Sequence, residues 1–343
     1  MTVVPPPASP ASPTTALPTD APAATAARPA LIGLDWGTSA LRGWLFDAQG
    51  RILAGREDGP GVLAIGASAF REAFERFCGP WLAVDPSLPV IAAGMIGSRQ
   101  GWREAAYLPA PAGIRALAAA LLPLDDTAGR VFRIVPGMLA ELPDGARDVM
   151  RGEETQVIGA LLGHTAPASH GLFVLPGSHG KWVAVRGAQI VALRTSLTGE
   201  AWAALREHTI LGRLCADPVP DDPDAQEAAW LAFDQGVAQI RAEPGALLHL
   251  LFRVRTEGLF GRLRPEQLPA YLSGLLTGAE VGDALRWPAR GAATPVLVGS
   301  GTQMTRYARA LAGFGVSCAH ASPDRAAAGL WALARAAGLL AAG

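Results

Sequence analysis

The chain runs to 343 residues, half of them apolar and 17% charged, and its 29 basic and 30 acidic side chains leave a formal net charge of −1. Length and hydrophobicity together imply one large or two medium folded domains and exclude a disordered chain. The charge balance excludes a general polyanion binder, so neither nucleic acid nor an anionic membrane surface is an expected partner.

The three cysteines, Cys78, Cys215 and Cys318, are odd in number and far apart, which speaks against a disulfide framework or a zinc site and suits a reducing cytoplasm. Of the first 30 residues, 24 are Ala, Pro, Ser or Thr, and this stretch reads as a disordered leader without the basic and apolar regions of a secretory signal. From residue 31 the pattern changes to short apolar runs between Gly-rich turns, alternating with helical stretches, which predicts an α/β fold. Strands are expected at 31–35, 90–94, 131–135, 172–175, 295–299 and 316–319. Helices are expected at 67–78, 153–163, 199–211, 224–240, 265–286, 302–313 and 324–340. No apolar run reaches the roughly 18–20 residues of a membrane helix. The tail at 326–343 comes closest, is interrupted by Arg335, and reads as an alanine-rich amphipathic helix. The expected division is a leader at 1–30, an N-terminal lobe at 31–170 and a C-terminal lobe at 171–343.

One internal similarity organises the rest. Residues 31–55 (LIGLDWGTSALRGWLFDAQGRILAG) and 172–194 (LFVLPGSHGKWVAVRGAQIVALR) both read strand, small-residue loop, strand, Gly turn, strand. A short loop of Gly, Ser and Thr between two strands can turn backbone N–H groups toward an anion, and two such hairpins across a cleft would grip a phosphate chain from both sides. In the first, Asp35 ends a buried strand and is followed by Gly37, Thr38 and Ser39. The carboxylate could bind Mg²⁺ while Gly37 admits a phosphoryl group and the two hydroxyls donate to it; the plainer reading is an Asp capping a turn. The second loop, Pro176-Gly177-Ser178-His179-Gly180-Lys181, is no Walker motif, because Leu175 and Trp182 stand where Gly and Ser or Thr belong. Ser178, His179 and Lys181 remain available to neutralise phosphate charge.

Three further stretches carry chemistry. Gly299-Ser300-Gly301-Thr302, at a strand-to-helix turn, imitates a dinucleotide fingerprint but has Met304 where the third glycine belongs, so it suits a close approach to adenine or ribose instead. Glu153 and Glu154 open a predicted helix; Glu153 reads as a residue offsetting the helix dipole, Glu154 as a base delivered to the cleft, with Asp148 as its competitor. The loop of Gly94, Met95, Gly97, Ser98, Arg99 and Trp102 follows a strand and offers a hydroxyl, a guanidinium and an indole to a small polar acid, although core packing of Trp102 and exposure of Arg99 would explain both equally. The remaining histidines lack ligand spacing and read as structural.

Together, DWGTSALRGWL, AGMIGSRQGW, VMRGEETQVIGA, LPGSHGKWV, RTSLTGE and SGLLTGAEV resemble the 2-dehydro-3-deoxygalactonokinases of the actin, Hsp70 and sugar-kinase superfamily, from about residue 31 to about 340. The resemblance implies two RNase-H-like, actin-like lobes flanking a cleft that holds ATP and Mg²⁺, and transfer of the γ-phosphate to the 6-hydroxyl of 2-dehydro-3-deoxy-D-galactonate. Carried onto matching positions, it makes Asp35 the metal-linked carboxylate, Gly37, Thr38 and Ser39 the first phosphate loop, and Gly177, Ser178, His179, Gly180 and Lys181 the second. It gives 298–302, with Gly299, Ser300, Gly301 and Thr302, to adenosine, and the 94–102 loop to the sugar acid. Pro176 departs from the wider superfamily, where an aspartate is common, and puts a second metal-linked carboxylate in doubt. Gly152-Glu153-Glu154 is also similar to the exopolyphosphatase branch, whose second Glu activates water, and by that analogy Glu154 is the base. Another sugar-acid kinase, an exopolyphosphatase-like hydrolase and a nucleotide-switch module are the rival readings. The stereochemistry of the acceptor at C4, and whether the chain forms a homodimer, stay open.

Overall fold

The computed structural model describes residues 27–125, 129–142, 144–163, 170–217, 222–321 and 325–340, so most of the expected leader lies outside the described residues. The first strand, β1 (Pro29–Trp36), already takes in residues 29 and 30. With β2 (Ala40–Asp47) and β3 (Ile52–Pro60) it forms an antiparallel meander. The run Leu31–Leu34 is buried without interruption, the pattern of a strand covered on both faces, whereas β3 at the sheet edge exposes Glu57 and Asp58. The helix α1 (Phe70–Leu82) buries Phe70, Ala73, Phe74, Phe77, Cys78 and Trp81, one apolar stripe at helical spacing, and leads to β4 (Val90–Gly94), parallel to β1. Short elements follow: β5 (Leu108–Pro109), β6 (Ala112–Gly113), α2 (Ile114–Ala119), β7 (Leu122–Pro123), β8 (Phe132–Ile134), β9 (Met138–Glu141) and β10 (Arg147–Met150), then the helix α3 (Glu153–Leu162).

The second half repeats the plan. β11 (His170–Leu175), β12 (Gly180–Arg186) and β13 (Gln189–Ser196) form a second antiparallel meander. Four helices follow, α4 (Thr198–His208), α5 (Pro223–Ala242), α6 (Leu247–Leu259) and α7 (Leu268–Arg286), before β14 (Pro295–Leu297), α8 (Gly301–Gly313), β15 (Ala319–His320) and α9 (Arg325–Ala336). The sheets run β3-β2-β1-β4-β8-β7 and β15-β14-β11-β12-β13-β6. Each is a three-strand meander extended on the side of its first strand by two parallel strands, β4 and β8 in one and β14 and β15 in the other, with β7 antiparallel at the edge of the first, so the molecule is two RNase-H-like lobes of the actin-like kind, with a small third sheet, β10-β9-β5.

The chain crosses the expected boundary at 170 and 171 in both directions. β6 adds an edge to the second sheet, and α9 returns to pack on β1 and α3. A single buried cluster therefore joins Leu31 and Phe46 of the first sheet, Leu330 and Leu333 of α9, and Phe173 and Val183 of the second sheet. α6 is absent from the sequence-based expectation. Its buried stripe of Leu250, Leu251 and Val254 is blurred in the sequence by apolar residues on the outward face, Leu248 at 85% and Phe252 at 55% exposure. The strand expected at 316–319 shrinks to β15, because Gly315 at φ +74° and its turn occupy the preceding residues. Among the described residues, no helix is long and apolar enough to cross a membrane.

α3 and α9 approach through glycine. A Cβ on Gly159 would stand 1.9 Å from the carbonyl oxygen of Arg325, and one on Gly329 would stand 1.9 Å from that of Thr155. Gly159→Ala or Gly329→Ala should therefore lower the unfolding free energy by about 1–3 kcal/mol, the usual cost of overpacking, whereas Gly66→Ala, which meets nothing within 4 Å, should stay within about 0.5 kcal/mol. Urea titrations of the three variants check this.

Candidate functional site

Two strand ends and a helix start converge between the lobes. β1 delivers Asp35, β4 ends on Gly94, and Gly152 opens α3. Gly94 (φ +93°) and Gly152 (φ +109°) take up conformations that disfavour side chains, and a Cβ on Gly152 would be 3.1 Å from the Gly94 Cα. A Cβ on Gly94 would also be 3.3 Å from Asp35 Oδ1, so the missing side chain keeps that carboxylate open to the cleft. Asp35 Oδ2 accepts a 2.5 Å hydrogen bond from Arg42 Nη2, its partner across the hairpin. From the other lobe comes Lys181, 5% exposed, whose Nζ lies 3.8 Å from Glu153 Oε1. Burial raises the Glu153 carboxyl above its ordinary range, Lys181 pulls it back, and the Asp35 charge adds to the rise.

Both glycine loops face this cleft, whose volume is about 310 Å³, through Gly37 and Thr38 on one side and Gly177, Ser178 and His179 on the other. Each loop is braced from behind by a glycine. Gly61 precedes residues whose N–H groups donate to the carbonyls of Gly37 and Thr38, and a Cβ there would be 2.3 Å from the Thr38 oxygen. Gly199 stands so close that a Cβ would be 2.5 Å from the Gly177 carbonyl, while the Glu200 N–H donates to Ser178 and the Glu200 carboxylate meets His179 Nε2 at 2.5 Å. Under the second loop Glu280 is 5% exposed and accepts from Trp182 Nε1 (2.8 Å), Tyr307 Oη (2.6 Å) and Thr198 Oγ1. Gly180 leaves room for that carboxylate, since a Cβ would sit 2.6 Å from its Oε1.

The cleft continues into the second lobe. Gly177 also lines a 70 Å³ neck, which Trp202 and Arg306 share with a cavity of about 430 Å³ bounded by Trp230, Phe233, Arg206 and Thr302. Of the expected adenosine turn, Thr302 reaches this cavity; Gly299 (φ +147°), Ser300 and Gly301 (φ +67°) form the bend that starts α8.

Several sequence candidates stand elsewhere. Glu154 is fully buried, with both carboxylate oxygens accepting the Gly152 N–H at 3.0 and 2.8 Å. Successive helical residues point about 100° apart, so only one of the pair can face the cleft, and it is Glu153. Asp148 is taken up by the Thr195 hydroxyl and N–H at 2.6 and 2.7 Å. In the 94–102 loop, Gly94 and Met95 line the cleft. Ser98 turns its hydroxyl to the Met95 carbonyl and Gly97 is packed against Arg151. The Arg99 side chain is 85% exposed and pairs with Glu104, and Trp102 packs among Trp36, Phe70, Phe74 and Phe132. Ser39 is exposed beside the first loop rather than lining the cleft.

The family model described as 2-keto-3-deoxy-galactonokinase matches residues 35–333, a span that begins at the cleft carboxylate and takes in both loops. The chain belongs to the 2-keto-3-deoxy-galactonokinase family. It is 36% identical over 305 residues to a probable 2-dehydro-3-deoxygalactonokinase of Rhizobium meliloti (strain 1021), covering 88% of this chain and 96% of that one. It is 33% identical over 296 residues to the 2-dehydro-3-deoxygalactonokinase of Escherichia coli (strain K12), covering 86% and 94%. A crystal structure from Sinorhizobium meliloti, assigned as a 2-dehydro-3-deoxygalactonokinase, superposes with a TM-score of 0.77 at 34% identity over 89% of this chain and 98% of that one.

Within this kinase family member, sequence reasoning passed over Arg42, Glu280, Trp202 and Arg306. Arg42 was within reach, because a tight hairpin places it opposite Asp35; the other three come together only through packing of α4, α7 and α8. The buried Glu154 makes a separate expectation. Burial, then the Glu153 charge, push its carboxyl up to about 8. Below the ordinary carboxylate range both folded and unfolded chains hold this proton; between about 4.5 and 8 the unfolded chain loses it first, so the folded state loses ground as pH rises through that window. Thermal melts from pH 5 to 8 should fall more steeply for the wild type than for Glu154→Gln, and parallel curves would remove Glu154 as the cause.

Proposed function

We propose that the chain transfers the γ-phosphate of ATP to the 6-hydroxyl of 2-dehydro-3-deoxy-D-galactonate, in the cytoplasm where ATP is at hand. The observation that carries this reading is the path of three adjoining cavities, which share Gly177, Trp202 and Arg306 as lining, from the carboxylate-lined cleft to the cavity of Trp202, Trp230 and Arg306. That path offers flat aromatic and guanidinium surfaces to a nucleobase at one end, and two glycine loops with flanking cations to a triphosphate at the other. The adenosine end then rests on Thr302 and the α4, α5 and α8 side chains, with Gly299 and Gly301 shaping the turn beneath.

Phosphoryl transfer asks the protein mainly for alignment and charge neutralisation. Gly37 and Thr38 from one lobe and Gly177, Ser178 and His179 from the other would hold the phosphates, and Lys181 behind them adds positive charge in a poorly solvated position. Asp35, with one oxygen toward the cleft, suits Mg²⁺, which commonly takes one or two carboxylates together with substrate phosphates rather than a full protein cage. Bound there, the ion would supply charge neutralisation on the phosphate oxygens. Glu153, beside Lys181 and lining the cleft, would accept the proton of the acceptor hydroxyl, the role the sequence comparison with exopolyphosphatases assigned to Glu154.

The direct test is ADP release from Mg-ATP with 2-dehydro-3-deoxy-D-galactonate, with its gluconate-derived epimer, and with no acceptor. ADP appearing only with the galactonate-derived acid supports the reading and its stereochemistry; equal ADP in all three would turn the assignment toward a hydrolase. In the same assay Glu153→Gln should lose about 10²–10⁴ in kcat, the usual reach of general-base assistance, while Glu154→Gln stays near wild type. Asp35→Asn should lower turnover more than it weakens ATP binding measured by calorimetry, and near-normal kcat in that variant would remove Asp35 from the mechanism.

A further inference from the structure

We propose that Arg151 is the residue that recognises the carboxylate end of the acceptor, an inference that rests on the kinase reading above. Arg151 lies between β10 and α3 and lines the same cleft as Asp35 and Glu153. Its Nη2 donates to the Ala105 carbonyl at 2.8 Å and its Cζ stands 4.2 Å from the centre of the Tyr107 ring. Nε and Nη1 are buried and have no hydrogen-bond partner among the described residues, and no carboxylate there forms an ion pair with this guanidinium. A desolvated cation with two idle donors is costly, and such groups persist where something else completes them.

The surroundings are arranged for that cation. Gly97, in the loop the sequence assigned to the sugar acid, provides the space: a Cβ there would be 2.9 Å from Arg151 Nη1. The other charges of the cleft already face opposite charge: Asp35 faces Arg42 and Glu153 faces Lys181. Arg151 gives its backbone N–H to Glu153 Oε2, which ties the guanidinium's position to that of the proposed base. A carboxylate beside a keto oxygen presents adjacent planar acceptors, the pattern a guanidinium fork matches and an ammonium does not. The acid-binding role expected for Arg99 therefore passes to Arg151, while Gly94, Met95 and Gly97 contribute backbone and space. Because both idle nitrogens are covered, pairing requires the guanidinium to shift, and the Tyr107 side chain it stands against is partly exposed, at 39%.

The test compares 2-dehydro-3-deoxy-D-galactonate with its uncharged C1 amide in wild type, Arg151→Gln and Arg151→Lys, measuring kcat and KM for each acceptor and KM for ATP. The expected result is a wild-type preference for the acid that collapses in Arg151→Gln, with KM for the acid raised roughly 10²-fold, KM for the amide and for ATP little changed, and Arg151→Lys recovering part of the preference. A wild-type acid-to-amide ratio retained in Arg151→Gln, or equal loss on both acceptors in both variants, overturns this inference alone. No ADP from the wild type with either acceptor overturns the kinase reading and this inference with it.

Discussion

The close crossing of α3 and α9 is the constraint on which the cleft depends. Gly159 and Gly329 let the two backbones meet with no side chain between them, and α9 is also packed on β1. α3 is thereby fixed against the first sheet, and its first turn carries Glu153 toward the end of β1, where Asp35 stands. The same buried cluster extends to Phe173 and Val183 of the second sheet, so the helix that sets one carboxylate also couples the lobes. Positions far from the cleft thus govern its geometry: a methyl group at the crossing would move the start of α3, and with it the distances among Asp35, Glu153 and Lys181.

Legibility in the sequence followed the range of the interaction. The strand at 90–94 was readable to the residue, because a buried parallel strand writes itself as an unbroken apolar run ended by glycine. The paired meanders were readable from their repeated strand-loop-strand pattern, and the two sheet orders bear that repeat out. Glu153 and Glu154 were not separable, since which of two neighbours faces the cleft depends on the φ of +109° at Gly152 and on the angle at which α3 leaves β10. Trp202, Trp230 and Arg306 belong to three helices, and each alone reads as an ordinary packed or exposed side chain. Trp102 shows the converse: an indole in a promising loop, claimed by an aromatic cluster against Trp36 and Phe132.

The electrostatics of the cleft rest on matching Asp35 with Arg42 and Glu153 with Lys181 before any ligand enters, while Arg151 is left without a carboxylate among the described residues. Glu153 would be a poor proton acceptor if burial alone acted on it, because desolvation disfavours its ionised form; Lys181, itself nearly buried, offsets part of that. The same balance holds for Glu280 beneath the second loop. Its three neutral donors and Lys181 favour a carboxylate that burial opposes, and it joins β12, α4, α7 and α8 at the point where the loop turns. A loop held this way presents its backbone to a phosphate without reorganising, which is where the advantage of preformed dipoles lies.

The two hairpins also show how a duplicated device can divide its labour. In the first, the register sets Asp35 opposite Arg42, and the pair is complete within one hairpin. In the second, Leu175 stands opposite Lys181 and Pro176 follows, so a cation is present while the strand end carries no carboxylate. A buried lysine without a counter-charge would be costly, and the structure answers that with a carboxylate from another element, Glu153 of α3. The absence of an acidic residue on β11 therefore need not leave the second lobe uncharged at the cleft. It moves the balancing carboxylate onto the helix that the α3 and α9 crossing positions, so the proposed metal ligand and the proposed base come from the N-terminal half and the partnering lysine from the other. The charge of Glu153 is thus matched from the other half of the chain, by Lys181 of β12.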